Sequence, residues 1–470
     1  MKIKIHLSIV FLLLTFTAHT SIKLSSLISD NMVLQQNSDI KIWGKAAPNQ
    51  NINVKVEWQK RQLFTTANDK GDWALTVKTI NAGGPYKIVV TSKNEKIEIS
   101  NILLGEVWLC TGQSNMEMPM AGFADSPING STDALLNYNP NVRMFKVTRA
   151  VGDLPFDTCS GTWAVANPET IAKSSAVAYF FANVIQQSLH VPIGVITCSW
   201  GGSRIESWMK KDILTNFPNA LKQTSNEKLP ANQRVSNIYN GMIAPLTNYK
   251  IKGALWYQGE SNIVNYYDYD ALLASMVKNW RTDFGNYEFP FYYVEIAPHS
   301  YGNSNAKNAA LQREAQFRAM SLIPNSGMVC TADVGEEKNI HPAEKLTISK
   351  RLALWALSET YGIKGLPYKS PTYKNMTVKD SVVSISFDNL INGLSFTGNE
   401  ITGFEIAGAD SVFYKAKAII SQKQIRAWSS NVKQPVAVRY AFVNYLRPEG
   451  LVFNTAGLPV LPFRTDNWKK

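Results

Sequence analysis

Between residues 105 and 362, short apolar runs alternate with helix-period stretches, and this alternation restricts the fold more than any other feature. The runs at 106–110, 194–198, 252–257, 291–296 and 327–331 have the length and apolar content of strands buried on both faces. Between and after them the spacing predicts helices over 174–190, 267–284, 309–322 and 343–361. In the first, Val177, Phe180, Phe181, Val184 and Ile185 form one apolar stripe suited to packing on a sheet. Five strands with crossover helices imply an α/β fold with a doubly wound, parallel, five-stranded sheet.

The flanking texture differs. Over 21–101 and again over 366–470, short alternating strands are broken by Gly, Asn, Asp and Pro turns, which predicts a β-sandwich-like domain on each side of a core at 102–365. The polar stretch 216–235 reads as an excursion across the surface. Residues 1–20 carry Lys2 and Lys4 ahead of an apolar run at 9–16 and then small residues, the pattern of a cleaved export leader. That run is too short to span a bilayer, and no later stretch is apolar enough to do so, so a secreted or periplasmic protein is expected.

Composition excludes several classes. With 45% hydrophobic and 18% charged residues the chain is globular rather than disordered. The net charge of +12 is dispersed without a run of basic residues, so no nucleic-acid partner is expected. Cys110, Cys159, Cys198 and Cys330 are too widely spaced for a zinc motif. Export permits a disulfide, but three of the four end strand-like runs and read as small buried residues.

In open α/β sheets, function gathers beyond the carboxyl ends of the strands. Four such ends carry unusual loops: Thr111-Gly112-Gln113-Ser114-Asn115-Met116, Ser199-Trp200-Gly201-Gly202-Ser203, Gln258-Gly259-Glu260-Ser261-Asn262, and Asp333 followed by His341-Pro342. Ser114, after Gly112 in a strand-to-helix turn, is the candidate nucleophile; it could equally cap the following helix, with Glu117 completing a capping box. His341 is the candidate base and His299 a weaker one. Asp333 at a strand end is placed to orient the base, with Glu260, Glu336 and Glu337 as alternatives. Gly201-Gly202 offers backbone donors, and Gln258 or Asn262 a side-chain amide, for a developing oxyanion.

Four blocks in this order resemble the sialate O-acetylesterase family of the SGNH hydrolases: Gln113-Ser114-Asn115-Met116, Gly201-Gly202-Ser203-x-Ile205-x-x-Trp208, Trp256 to Asn262, and Ile340-His341-Pro342. The tail from Gly457 to Asp466 is also similar. The resemblance implies a flavodoxin-like core, Ser114 as nucleophile, His341 as base, and oxyanion donors from the Ser114 and Gly202 N–H groups and a side-chain amide. It implies an acetylated carbohydrate as substrate, with Gln113, Asn115, Glu260 and Asn262 lining its site, and no metal or organic cofactor. The sequence departs from the family where an acid usually precedes the histidine by three residues, since Lys338 stands there. Asp333 then leads as the acid, with a Ser–His dyad as the fallback. The usual Gly-x-Asn of the third block is also absent, which puts Gln258 ahead of Asn262. The expected activity is an exported serine esterase acting on O-acetylated sialic acid. The alternatives are an acetylesterase for xylan, xyloglucan or pectin and a non-catalytic carbohydrate-binding protein. Oligomeric state is not legible.

Overall fold

The computed structural model describes residues 21–93 and 95–468, so the expected leader at 1–20 lies outside the described residues. The five expected strands all form: β1 (Glu95–Gly112), β3 (Ile193–Ser199), β4 (Gly253–Tyr257), β5 (Phe291–Val294) and β6 (Ser326–Val329). Their spatial order is β3-β1-β4-β5-β6 with every adjacent pair parallel. Counted alone, these five stand in the order 2-1-3-4-5 of flavodoxin-type doubly wound sheets.

The sheet is nevertheless larger than five strands. A sixth parallel strand, β2 (Val142–Lys146), extends it beyond β3, and Trp163–Val165 pairs antiparallel with β2 at the edge. The crossover from β2 to β3 carries α1, but β2 itself reads Val-Arg-Met-Phe-Lys, and Arg143 breaks the apolar run that marked the other strands. β1 also runs eighteen residues, and its first half pairs with Gly83–Ser92 of the N-terminal β-region. The expected boundary at 101/102 therefore falls inside one continuous strand.

The helices form close to their expected limits: α1 (Ala176–Leu189), α2 (Tyr269–Asp283), α3 (Asn308–Leu322) and α4 (Lys345–Trp355). Ser175 caps α1 by accepting from the Ala178 N–H, and His190 ends it in the left-handed conformation at φ 56°. Side chains of β4 alternate between the two faces of the sheet. Leu255 and Tyr257 pack with Val177 and Phe181 of α1 and Ile348 and Leu352 of α4. Ala254 and Trp256 pack with Leu273 and Trp280 of α2 and Ala315 of α3. Helices thus cover both faces, as the unbroken apolar strands require.

Among the described residues the C-terminal region forms two four-stranded and one two-stranded antiparallel sheets. It is joined to the core through α3: Asn444 Oδ1 accepts from the Ala309 N–H at 2.8 Å, and Arg464 holds Glu314. All four cysteines are free, and Cys110, Cys198 and Cys330 are buried.

Candidate active site

The carboxyl end of β1 makes the first turn of the site. Gly112 has φ 142°, and a Cβ there would lie 2.2 Å from the Tyr257 carbonyl oxygen, so glycine is required on both counts. The chain then enters a single helical turn, Ser114–Glu117, whose cap position is Gln113 rather than Ser114. Ser114 is therefore not a capping residue. Its hydroxyl lies 2.8 Å from His341 Nε2, the contact a serine nucleophile needs with its base. Residues 227 positions apart in sequence meet here.

The imidazole is half-buried and meets the edge of Phe123, with ring centroids 5.1 Å apart. Burial, with the nearby charges of Lys345 and His299, holds its pKa below the ordinary value of 6.5. It is thus poised as a neutral base. Among the described residues no carboxylate hydrogen-bonds to the ring.

Asp333 is the principal correction. Both its oxygens are held at 2.7 Å by the Arg351 guanidinium, which reaches under the strand end from α4 and also donates to the Cys330 carbonyl. A bidentate pair of this kind holds the carboxylate on Arg351, and no hydrogen bond joins Asp333 to the His341 ring among the described residues. Of the alternatives, Glu336 accepts from the Ala343 N–H, Glu337 from Ser304, and Glu260 from Asn115. His299 places Nδ1 on the Glu336 carbonyl and does not meet Ser114.

Gln258 also differs from expectation. It is fully buried, and its amide nitrogen donates to the Ser203 carbonyl at 3.0 Å and to Asn262 Oδ1 at 2.8 Å. Its oxygen accepts from Tyr269. Both side-chain N–H groups of Gln258 are thereby engaged, leaving none for an oxyanion. Asn262 is equally buried, holding the Ile205 N–H and donating to Glu206, whose burial raises its carboxyl pKa. The backbone donors fare differently. The Ser114 and Gly202 N–H groups have no acceptor within the chain among the described residues, whereas the Gly201 N–H is taken by Glu117 at 2.8 Å. Gly201 packs against the nucleophile: a Cβ on it would stand 3.3 Å from the Ser114 Cβ.

The polar excursion has a task here. Asn232 and Gln233 donate to the Gly201 and Gly202 carbonyls at 2.8 and 3.0 Å and so shape the turn. Nothing in a short polar stretch signals this, because the partners are main-chain atoms thirty-one residues away.

Gln113, Asn115, Glu260 and Asn262, expected to line the substrate site, are buried behind Ser114 and bind the loops to one another. Gln113 accepts from the Gly259 N–H at 3.2 Å. Asn115 donates to Glu260 at 2.6 Å and to the Ile340 carbonyl at 3.1 Å, and accepts from Lys345 at 2.6 Å. The open space lies elsewhere. A cavity of about 670 Å³ is lined by Lys146, Thr148, Arg149, Ser199 and Glu117, the last of which takes the Gly201 N–H. Arg149 pairs with Glu117 and stacks over Trp200. Among the described residues no group of three or more His, Cys, Asp or Glu side chains is placed to hold a metal, and no helix is long and apolar enough to cross a membrane.

Comparison with known proteins gives the family. Human sialate O-acetylesterase is 28% identical over 392 residues, which cover 76% of this chain and 74% of that protein. The mouse enzyme is 26% identical over 417 residues, covering 76% of each. A crystal structure of a carbohydrate acetylesterase from Xanthomonas citri superimposes with a TM-score of 0.86 at 33% identity, covering 95% of this chain and 100% of that one. Residues 104–355 match the family described as carbohydrate esterase, sialic acid-specific acetylesterase, and they include all four loops that meet at Ser114. The chain belongs to this sialic acid-specific acetylesterase family of carbohydrate esterases.

Proposed function

We propose that the protein hydrolyses O-acetyl esters of carbohydrates through a Ser114–His341 dyad, with sialic acid as the favoured sugar. The 2.8 Å contact between Ser114 Oγ and His341 Nε2 carries the reading. Ser114 attacks the acetyl carbonyl as His341 takes its proton. The oxyanion is received by the Ser114 and Gly202 N–H groups. His341 returns the proton to the departing sugar oxygen, then activates the water that releases acetate from the acetyl-enzyme. No step requires a metal.

The finer description of the fold, an SGNH core with β-sandwich-like domains at 21–101 and 366–470, is supported by the flavodoxin-type order of five strands. Export rests on the leader-like residues 1–20. Sialic acid is favoured over a neutral glycan because the matching family is described as sialic acid-specific, and Lys146 on the cavity wall suits a carboxylate. A second reading is an acetylated plant polysaccharide, since the Xanthomonas citri neighbour is described as a carbohydrate acetylesterase without restriction to sialic acid. Acetate release from O-acetylated sialic acid, acetylated xylan, xyloglucan and pectin separates the two. Ser114→Ala should reduce every such rate to background without lowering the melting temperature. An active Ser114→Ala protein would overturn the mechanism, and a wild type without esterase activity would leave only a carbohydrate-binding role.

A further inference from the structure

We infer that Lys345 is a positioning residue for His341, acting through Asn115 to hold the peptide that carries the catalytic imidazole. The inference rests on the Ser114–His341 reading and asks what replaces the missing acid. Lys345 opens α4 and is completely buried, a costly place for an ammonium group. Its Nζ donates to Asn115 Oδ1 at 2.6 Å. An ammonium has only donors, so this contact determines which way round the Asn115 amide sits. The Asn115 nitrogen then faces Glu260 Oε1 at 2.6 Å and the Ile340 carbonyl at 3.1 Å.

That carbonyl belongs to the peptide bond joining Ile340 to His341. The N–H of the same peptide donates to Asn339 Oδ1 at 2.9 Å, and Asn339 is itself anchored on Ser126. Both polar groups of one peptide plane are therefore held, and the imidazole is aimed from its backbone rather than from its ring. Asn115 follows the nucleophile directly, so the same amide couples Ser114 to His341.

The groups facing Lys345 are Glu260 from the third loop, Glu336 from the loop before His341, and the Tyr257 ring of β4. Burial draws the lysine pKa down to about 7 despite the two carboxylates. His341 feels Lys345 and His299 as neighbouring charges, both lowering its own pKa. Through the range below pH 6.5 where His341 titrates, Lys345 is protonated and disfavours the imidazolium.

Lys345→Met keeps the length of the side chain and removes both the donor and the charge. With p-nitrophenyl acetate, kcat should fall about 10- to 100-fold while KM changes less than about twofold, because the base is misplaced rather than the ester unbound. The acid limb of the kcat profile, and the His341 pKa followed by NMR, should move to higher pH; a purely structural role would move neither. Asn115→Asp keeps an acceptor for Lys345 and removes the donor to both Ile340 and Glu260, and it should lower kcat in the same way. If Lys345→Met does not fold, Asn115→Asp decides. A folded Lys345→Met protein with wild-type kcat and an unmoved acid limb overturns the inference, as does a folded, fully active Asn115→Asp. An inactive Ser114→Ala beside either result leaves the dyad standing, whereas an active Ser114→Ala removes the dyad itself.

Discussion

Replacing Asp333 by asparagine separates an ion pair from a catalytic acid. In the structure both Asp333 oxygens sit 2.7 Å from Arg351, with the two side chains 16% and 8% exposed. Asparagine preserves the shape but leaves the guanidinium without its counter-charge. Breaking a buried pair by neutralising one partner costs about 3–5 kcal/mol. Partial exposure, the amide oxygen that remains, and the Cys330 carbonyl still held by Arg351 place this case near about 3 kcal/mol. For a cooperative unit the size of the catalytic region that is a fall of about 6–12 °C in Tm. A triad acid would behave otherwise, costing about 10⁴ in kcat, or about 5.5 kcal/mol of barrier. Thermal melts and p-nitrophenyl acetate turnover measured well below Tm should therefore give a destabilised protein with kcat within about threefold of wild type. A drop of about 10³ or more in kcat at unchanged Tm would refute the reasoning and return Asp333 to the histidine.

Because burial and neighbouring charge lower the His341 pKa, the base stays unprotonated to lower pH, and the acid limb of kcat should be centred below 6.5; a limb above that value would contradict the site as described. Gln258→Ala strands the Ser203 carbonyl, Asn262 and Tyr269 in a closed site, so it should destabilise by about 2–3 kcal/mol and cost less than the 10²–10³ in kcat expected of an oxyanion donor. The reverse pattern, a large loss of kcat at unchanged Tm, would restore its amide to catalysis. Gly112→Ala places a methyl 2.2 Å from the Tyr257 oxygen at φ 142° and should cost about 3 kcal/mol or more, read as loss of soluble folded protein. A soluble variant melting with wild type would show that the turn can relax.

What the sequence alone determined is what is written in local pattern. Runs such as 252–257 are apolar on both faces, and stripes such as Val177, Phe181 and Ile185 repeat at helical spacing, so strands, helices and their alternation follow from neighbours along the chain. That Ser114 and His341 could meet was legible because strand ends in an open sheet converge and each lies in a loop after one, while their roles as nucleophile and base came from the family resemblance. Five residues at Val142–Lys146 escaped because Arg143 and Lys146 break the short apolar run, leaving neither a continuous buried pattern nor a clean alternation. Only the tertiary structure decided the partners. Whether Asp333 meets His341 or Arg351 depends on which side chain of α4 points under the strand end, and Arg351 reaches it first. Gln258 lost its expected role to a carbonyl at Ser203, and Asn115 and Glu260 turned inward to Lys345 and Ile340. A buried polar group must find a partner, but composition and spacing do not say which. That choice is made by packing distances between residues remote in sequence, and at this site it converts expected chemistry into scaffold.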